Sequence, residues 1–446
     1  MTHSLAAIFE ARSVAVVGAS ADPRKRGHQV VRALLDAGFE GEVLPVHPNG
    51  GSLLGLPVAP SVTDLAQQPD LALICTRAAT VPGVLERCAA RGIKGAVILA
   101  VGFDESGPEG EALARDVAAI ARRTGLRVVG PNTSGFLNPG LGLNSVGIRE
   151  VPAGRMALLS QSGNVALDIV KKASAGSVGI SLYVGVGNEL DVRFHEYLAY
   201  LESHGASEVI LVYAEGFRDG RAFMHAVSRV GRTKPIVVLK GGRSMNGATA
   251  ARSHTGAIAG SYEVFSSLIE QVGAHEVTRS DELLRVGEML AGQPPFRSGG
   301  VVVVADGGGH ATLAVDALES LGVPLAEISS ATRKRLAVLL HRAAAISNPI
   351  DLAGAADGAP EVFARVICEI SRDPVCGGVV ITGLLGGYAL RFADELAAEE
   401  TKAARELGRL ARESSLPVVV HTIYAESGTR AVAELRGAGI PVVDSL

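Results

Sequence analysis

The chain has 446 residues, 47% of them apolar and 20% charged, with 54 glycines and a formal net charge of −4. That length implies two or three domains, and the composition fits compact α/β domains with many glycine turns, not a disordered or fibrous chain. Mild acidity speaks against nucleic acid or an anionic membrane surface as partner, and the absence of tryptophan with only 4% aromatics speaks against a base-stacking platform.

Four scattered cysteines, Cys75, Cys88, Cys368 and Cys376, form no C-x-x-C pair, so neither a zinc site nor a disulfide framework is indicated, and no bound metal is expected. The N-terminus lacks a basic region followed by an apolar stretch of signal length. No apolar run reaches the roughly 18 residues that cross a bilayer. A reduced, cytoplasmic protein is the expectation.

Ser13-Val14-Ala15-Val16-Val17 is a short β-branched run that predicts a buried strand. Gly18-Ala19-Ser20 breaks it, and a helical pattern covers 27–37. Further strands are expected at 43–46, 71–75, 95–99 and 127–129. Strands alternating with helices at this spacing predict a parallel, doubly wound sheet, whose ligands bind outside the carboxyl ends of the strands. A dinucleotide fingerprint has G-x-G-x-x-G and an acidic residue about 20 positions on. Here Ser20 replaces the second glycine, and the second strand ends in Val46-His47-Pro48-Asn49 without a carboxylate, which argues against NAD. The turn still offers N–H groups at a helix N-terminus, suited to phosphate. Arg24, Lys25 and Arg26 either add charge there or form a solvated helix start.

A strand is expected at 155–159, then Ser160-Gln161-Ser162-Gly163-Asn164 and an apolar-periodic helix over 165–173. This helix start, with two hydroxyls, is either an anion site or a serine N-cap. A strand at 181–184 leads to Gly185-Val186-Gly187-Asn188-Glu189-Leu190-Asp191. The strand at 209–212 ends in Tyr213-Ala214-Glu215-Gly216, which sets a carboxylate at the ligand edge. After a strand at 236–239 come Lys240-Gly241-Gly242-Arg243, the small-residue loop Ala250-Ala251-Arg252-Ser253-His254-Thr255-Gly256-Ala257, and an amphipathic segment from about 261.

Alone, His254 is a solvated loop residue. Its company changes the reading. A neutral imidazole is a nucleophile toward phosphorus, and its other ring nitrogen needs an acceptor, which a carboxylate such as Glu215 supplies. The helix start at Ser162-Gly163 can neutralise phosphoryl charge. A serine hydrolase is disfavoured, since the Ser160–Ser162 turn lacks the G-x-S-x-G elbow.

Beyond Pro294-Pro295, which marks a linker, a strand at 301–304, the turn Asp306-Gly307-Gly308-Gly309-His310 and a helix over 311–321 echo the second domain. The triple glycine either makes a tight turn or binds phosphate. Asn348-Pro349-Ile350-Asp351-Leu352 is a rigid loop, and strands are expected at 378–382 and 417–420.

In their order, Val17-Gly18-Ala19-Ser20, Val46-His47-Pro48-Asn49, Val101-Gly102-Phe103, Gly130-Pro131-Asn132 and the Ser253-His254-Thr255-Gly256-Ala257 loop resemble the NDP-forming (ADP-forming) acyl-CoA synthetases. These belong to the succinyl-CoA synthetase α-subunit superfamily, and the resemblance covers essentially the whole chain. It implies an α/β protein: a Rossmann-like CoA-binding domain (1–148), then two flavodoxin-like parallel-sheet domains (149–296 with the phosphohistidine loop, and 297–446). It implies CoA held by Gly18, Ala19, Ser20, Pro48, Asn49, Gly102, Phe103, Pro131 and Asn132. Phosphate and acyl groups would meet Ser160, Gln161, Ser162, Gly163, Asn188, Gly241 and Gly242. His254 would carry the phosphoryl group, oriented by Glu215. The family's usual Asn-Pro is His47-Pro48 here, and the cysteine often found after Gly-Pro-Asn is Thr133.

The implied reaction is acid + CoA + ATP ⇌ acyl-CoA + ADP + phosphate, through an acyl phosphate and a phosphohistidine. It also needs an ATP-grasp part for ATP, ADP and Mg²⁺. No stretch of this chain is a candidate, so a separate β subunit or a longer fused chain is implied, with an oligomer expected. Two other classes stay in view. A CoA-binding regulatory module without catalysis has no use for His254 with Glu215. An NAD-dependent oxidoreductase lacks its fingerprint. The carboxylic acid is not legible, because no charge pattern in the loops selects one.

Overall fold

The continuous apolar runs of this chain become strands buried on both faces, as parallel sheets covered by helices require. The structure is a computed structural model describing residues 5–175, 178–249 and 261–446. It begins with strands β1 (Ser13–Val17) and β2 (Glu42–Val46), a small hairpin of β3 (Ser52–Leu53) and β4 (Leu56–Pro57), and strands β5 (Leu71–Ile74), β6 (Gly95–Ile98) and β7 (Arg127–Val129). The first sheet has the order β2-β1-β5-β6-β7, all parallel.

The chain then forms β8 (Phe136–Asn138), β9 (Leu143–Asn144), β10 (Ala153–Ser160), β11 (Ile180–Gly185), β12 (Val209–Ala214), β13 (Ile236–Lys240) and β14 (His275–Val277). Their sheet runs β14-β13-β12-β10-β11-β8-β9, with β8 and β9 antiparallel at one edge. The third sheet holds β15 (Gly300–Ala305), β16 (Ile350–Asp351), β17 (Cys376–Gly383), β18 (Val418–Thr422) and β19 (Val442–Val443), in the order β16-β15-β17-β18-β19. Within each sheet the five parallel strands follow the order 2-1-3-4-5, so each has a switch point between its first and third strand, where ligands of doubly wound sheets bind.

By contacts the chain divides into two compact units, Met1–Gly287 and Glu288–Leu446. The first unit contains the first two sheets over a shared core. Phe9 meets Phe136 edge-on at 5.4 Å and Tyr200 at 5.4 Å, and the Asn138 amide donates to the Phe9 carbonyl at 2.9 Å. Residues 136–144 were expected to close the first domain. They instead extend the second sheet, where β8 covers the otherwise open edge of β11. Ile350–Asp351, expected as loop, is a short strand pairing with β15. Among the described residues no helix is long and apolar enough to cross a membrane.

Candidate functional site

The carboxyl ends of the first sheet are built from backbone. After β1 the Gly18 and Ala19 N–H groups donate to the Val46 carbonyl at 2.9 and 3.1 Å, so the turn leans on the end of β2. Gly18 has φ +93°, a conformation that favours glycine. A Cβ on Gly27 would lie 2.0 Å from the Gly18 carbonyl oxygen, so the helix Arg26–Asp36 packs on this turn only because residue 27 lacks a side chain. Ser20 Oγ accepts from the Asp22 N–H at 3.1 Å. Pro48 and Asn49 stand exposed after β2. At the end of β5, Thr76 Oγ1 is buried without a hydrogen-bond partner. This side-chain-poor edge with an unpartnered hydroxyl fits a long ligand carrying phosphate and amide groups, as CoA does. Of the three basic residues nearby, Arg24 pairs with Asp22 at 3.0 Å, and Arg26 is spent on the carbonyls of Ser134 (2.8 Å) and Ser145 (3.2 Å).

The two sheets of the first unit meet at a polar seam. Gly102 and Phe103 donate their N–H groups to one oxygen of Glu105, at 2.7 and 3.2 Å. The other oxygen accepts from Asn188 Nδ2 at 2.8 Å. Asn188 Oδ1 accepts from Asn132 Nδ2 at 3.3 Å, and its N–H donates to the Pro131 carbonyl at 2.9 Å. Arg218 donates to the Asn188 carbonyl at 2.8 Å and pairs with Asp104. Burial pushes the Glu105 carboxyl up, but the Gly102 N–H and the Asn188 amide outweigh it and hold it below the usual carboxylate range. The Phe103 ring is fully buried in the first sheet's core, so only its backbone faces this edge. Glu105, Asp104 and Arg218 carry the seam, and they were not singled out in the sequence. Single polar residues in loops give no periodic signal.

In the second sheet, the turn after β10 is tied to its neighbours. Ser160 is buried, and its hydroxyl donates to the Ser162 carbonyl at 2.7 Å. Ser162 Oγ accepts from the Val165 N–H at 3.4 Å at the start of the helix Gly163–Ala175. Gln161 reaches across: its Oε1 accepts from the N–H groups of Glu215 (2.6 Å) and Gly216 (3.1 Å), and its Nε2 donates to Glu189 Oε1 (2.8 Å) and the Gly216 carbonyl (2.9 Å). Glu189 is buried with φ +54°, and its second oxygen accepts from the Phe194 N–H at 3.1 Å. Burial pushes its carboxyl up to about 7 against the opposing pull of the Phe194 N–H and Gln161.

Glu215 follows β12, half-buried, and accepts from the Tyr213 hydroxyl at 3.2 Å. Buried Lys240, the last residue of β13, donates to the Glu215 carbonyl at 2.7 Å. Burial pushes its ammonium pKa down, with Glu215 opposing. A Cβ on Gly241 would lie 2.8 Å from the Tyr213 hydroxyl and 3.2 Å from Glu215 Cγ, so this glycine gives Glu215 its room. Gly242 follows with φ +72°. His254 and its neighbours in 250–260 lie outside the described residues. On the flanks of that segment, the Arg243 guanidinium lies over the Tyr262 ring at 5.7 Å.

In the second unit the triple glycine opens the helix Gly308–Ser320, with no side-chain cap at Gly307. Asp306 accepts from the Leu384 N–H at 2.7 Å and from the Tyr388 hydroxyl, tying the turn after β15 to that after β17.

A backbone-lined sheet edge with an unpartnered hydroxyl, joined to a second sheet that presents a carboxylate and a helix start, is the candidate site of this α/β protein. The CoA-binding domain family matches residues 12–139, and the succinyl-CoA ligase-like flavodoxin domain family matches residues 153–290. The chain is 33% identical to the ADP-forming acetate–CoA ligase I subunit alpha of Pyrococcus furiosus, over 98% of this chain and 94% of that one. It is 36% identical to the ADP-forming acetate–CoA ligase I of Archaeoglobus fulgidus, over 82% of this chain but only 53% of that longer one. The dinucleotide-forming acetyl-coenzyme A synthetase 1 of Candidatus Korarchaeum cryptofilum, solved with phosphate and ADP, superposes with a TM-score of 0.90 at 29% identity, over 99% of this chain and 93% of that one. The chain belongs to the ADP-forming acyl-CoA ligase family. It spans nearly the whole of the Pyrococcus furiosus α subunit and about half the length of the longer relative.

Proposed function

We propose that the chain is the CoA-binding, phosphoryl-carrying part of an ADP-forming acyl-CoA ligase, catalysing acid + CoA + ATP ⇌ acyl-CoA + ADP + phosphate with an ATP-grasp part. That part, a separate β subunit or a fused domain, holds ATP and Mg²⁺. In this reading residues 1–148 bind CoA along Gly18, Ala19, Ser20, Pro48, Asn49, Gly102, Phe103, Pro131 and Asn132. Residues 149–296 carry the phosphoryl chemistry, and residues 297–446 complete the assembly.

Phosphorylated His254 transfers its phosphoryl group to a carboxylate oxygen of the acid, giving acyl phosphate and a neutral imidazole. The thiol sulfur of CoA then attacks the acyl carbon, and phosphate leaves. Glu215 accepts the hydrogen bond of the ring nitrogen that does not bear phosphorus, and stabilises the cationic phosphoimidazole. The helix start at Ser162-Gly163 and the turn at Gly241-Gly242 face the phosphoryl charge. Catalysis is chiefly positioning and charge neutralisation.

The observation that carries this reading is the seam itself. Asn132 directly, and the Gly102–Phe103 turn through Glu105, both proposed for CoA, are bonded to Asn188, proposed for the acyl phosphate. Two sites that exchange an acyl group need this adjacency. An NAD-dependent oxidoreductase has no use for the second half of it.

The test is thiol release. The purified chain is offered acetyl-, isobutyryl-, benzoyl- and succinyl-CoA, with and without inorganic phosphate. Release of free CoA that requires phosphate supports the reading, and the productive thioester names the acid class. Release that ignores phosphate, or none from any thioester even with an ATP-grasp partner supplied, overturns it.

A further inference from the structure

We infer that Gln161, Glu189 and Lys240 form a clamp that positions the Glu215 carboxylate for the phosphohistidine step, an inference that rests on the ligase reading above. The three come from different strand ends; Gln161 and Lys240 grip residue 215 by its own backbone, and Glu189 braces Gln161. Gln161 Oε1 takes the Glu215 N–H at 2.6 Å, and Lys240 Nζ takes the Glu215 carbonyl at 2.7 Å. Glu189 holds the far end of Gln161 at 2.8 Å and is itself anchored on the Phe194 N–H at 3.1 Å.

Gln161 is a positioning residue, because it has no valence left for a ligand. A carboxamide offers two N–H donors and two acceptor lone pairs. All four are used inside the protein, by Glu215, Gly216 twice, and Glu189. The orientation of its amide is equally determined: both partners of the oxygen are N–H donors, and both partners of the nitrogen are oxygens. Sequence reading placed Gln161 against phosphate or acyl group; its bonds assign it to the support of Glu215.

Glu189 and Lys240 are both buried. Burying ionisable groups is costly, and apolar contacts would hold a loop for less. Hydrogen bonds to the peptide units on both sides of the Glu215 Cα do what apolar contacts do not: they fix the direction of the backbone there. With the backbone of 215 held and Gly241 leaving space beside Cγ, the side chain leaves the strand end on one course, beside the Tyr213 hydroxyl at 3.2 Å.

The test reads phosphoryl transfer to His254 as acid-labile, base-stable label from radioactive phosphate and acetyl-CoA, or whichever thioester of the panel proves productive. Gln161→Ala and Lys240→Met each slow labelling by about 10–100-fold, the usual cost of removing a support around a reacting group. CoA affinity stays within about twofold, since the clamp leaves the CoA edge intact. In a Glu215→Gln background the same substitutions cost almost nothing more, because their effect passes through Glu215. The exchanged pair Gln161→Glu with Glu189→Gln, which re-forms their bond with donor and acceptor reversed, recovers most of the rate lost in Gln161→Glu alone. Single variants that label at the wild-type rate, or costs that persist in full without the Glu215 carboxylate, overturn the clamp while leaving the ligase reading intact. A wild-type chain that never takes label overturns the ligase reading, and the clamp with it. Melting temperatures separate either result from simple unfolding.

Discussion

Asn188 donates its side-chain amide to Glu105 at 2.8 Å, bonding the turn after β11 to the turn after β6. Asn188→Ala removes this bond and the one from Asn132. A hydrogen bond to a charged group contributes about 1.5–3 kcal/mol. The Gly102–Phe103 turn then loses its anchor, and CoA binding weakens by about tenfold or more. Titration calorimetry with CoA measures this. An unchanged dissociation constant would show that the seam does not shape the CoA edge.

Gly27→Ala sets a methyl 2.0 Å from the Gly18 carbonyl oxygen. That oxygen belongs to a turn already bonded to β2 and has little freedom to retreat. Overpacking of this kind costs about 1–3 kcal/mol. Gly205→Ala is the control, since nothing lies within 4 Å of its added Cβ. Thermal melts read the contrast: a clear drop for residue 27 and little change for residue 205.

The parallel strands were legible because burial on both faces leaves a continuous apolar run, as in Val301-Val302-Val303-Val304. The turns after them were legible as glycine and hydroxyl clusters at strand ends. Strands β8 and β9 were not, because two or three residues carry no periodicity and their place is set by the edge of β11. At the site, Gln161 and Glu215 stood out by position, but their bond did not. It joins residues 54 apart, and Glu189 and Lys240 read in sequence only as polar residues at the ends of apolar strands. A lysine closing the fully buried strand Ile236–Lys240 was the one available hint.

Glu189 makes stability depend on pH. Its carboxyl is raised to about 7 in the fold from 4.5. A raised pKa contributes stability that is complete below the unfolded value and is lost as pH rises through the folded one. The loss between pH 4.5 and 7 is about 3 kcal/mol at 1.36 kcal/mol per unit. Glu189→Gln removes the buried charge and this slope. Its melting temperature relative to wild type rises between pH 5 and pH 8. A constant difference across that range would contradict the burial of an ionisable group there.

Gly241→Ala places a methyl 2.8 Å from the Tyr213 hydroxyl and 3.2 Å from Glu215 Cγ. Both neighbours are side-chain atoms that move outward. The fold therefore survives, with a melting temperature within a few degrees of wild type. Phosphoryl labelling falls by about 10-fold or more as Glu215 is displaced. Equal loss of stability and labelling would assign Gly241 to packing alone.

The central claim is that His254 carries phosphorus. The purified chain is incubated with radioactive phosphate and the thioester panel, beside His254→Ala and Glu215→Gln. The account predicts acid-labile, base-stable label on the wild type, none on His254→Ala, and slow labelling of Glu215→Gln. Label that persists on His254→Ala, or a wild type that stays unlabelled with every thioester after an ATP-grasp partner is added, would contradict it.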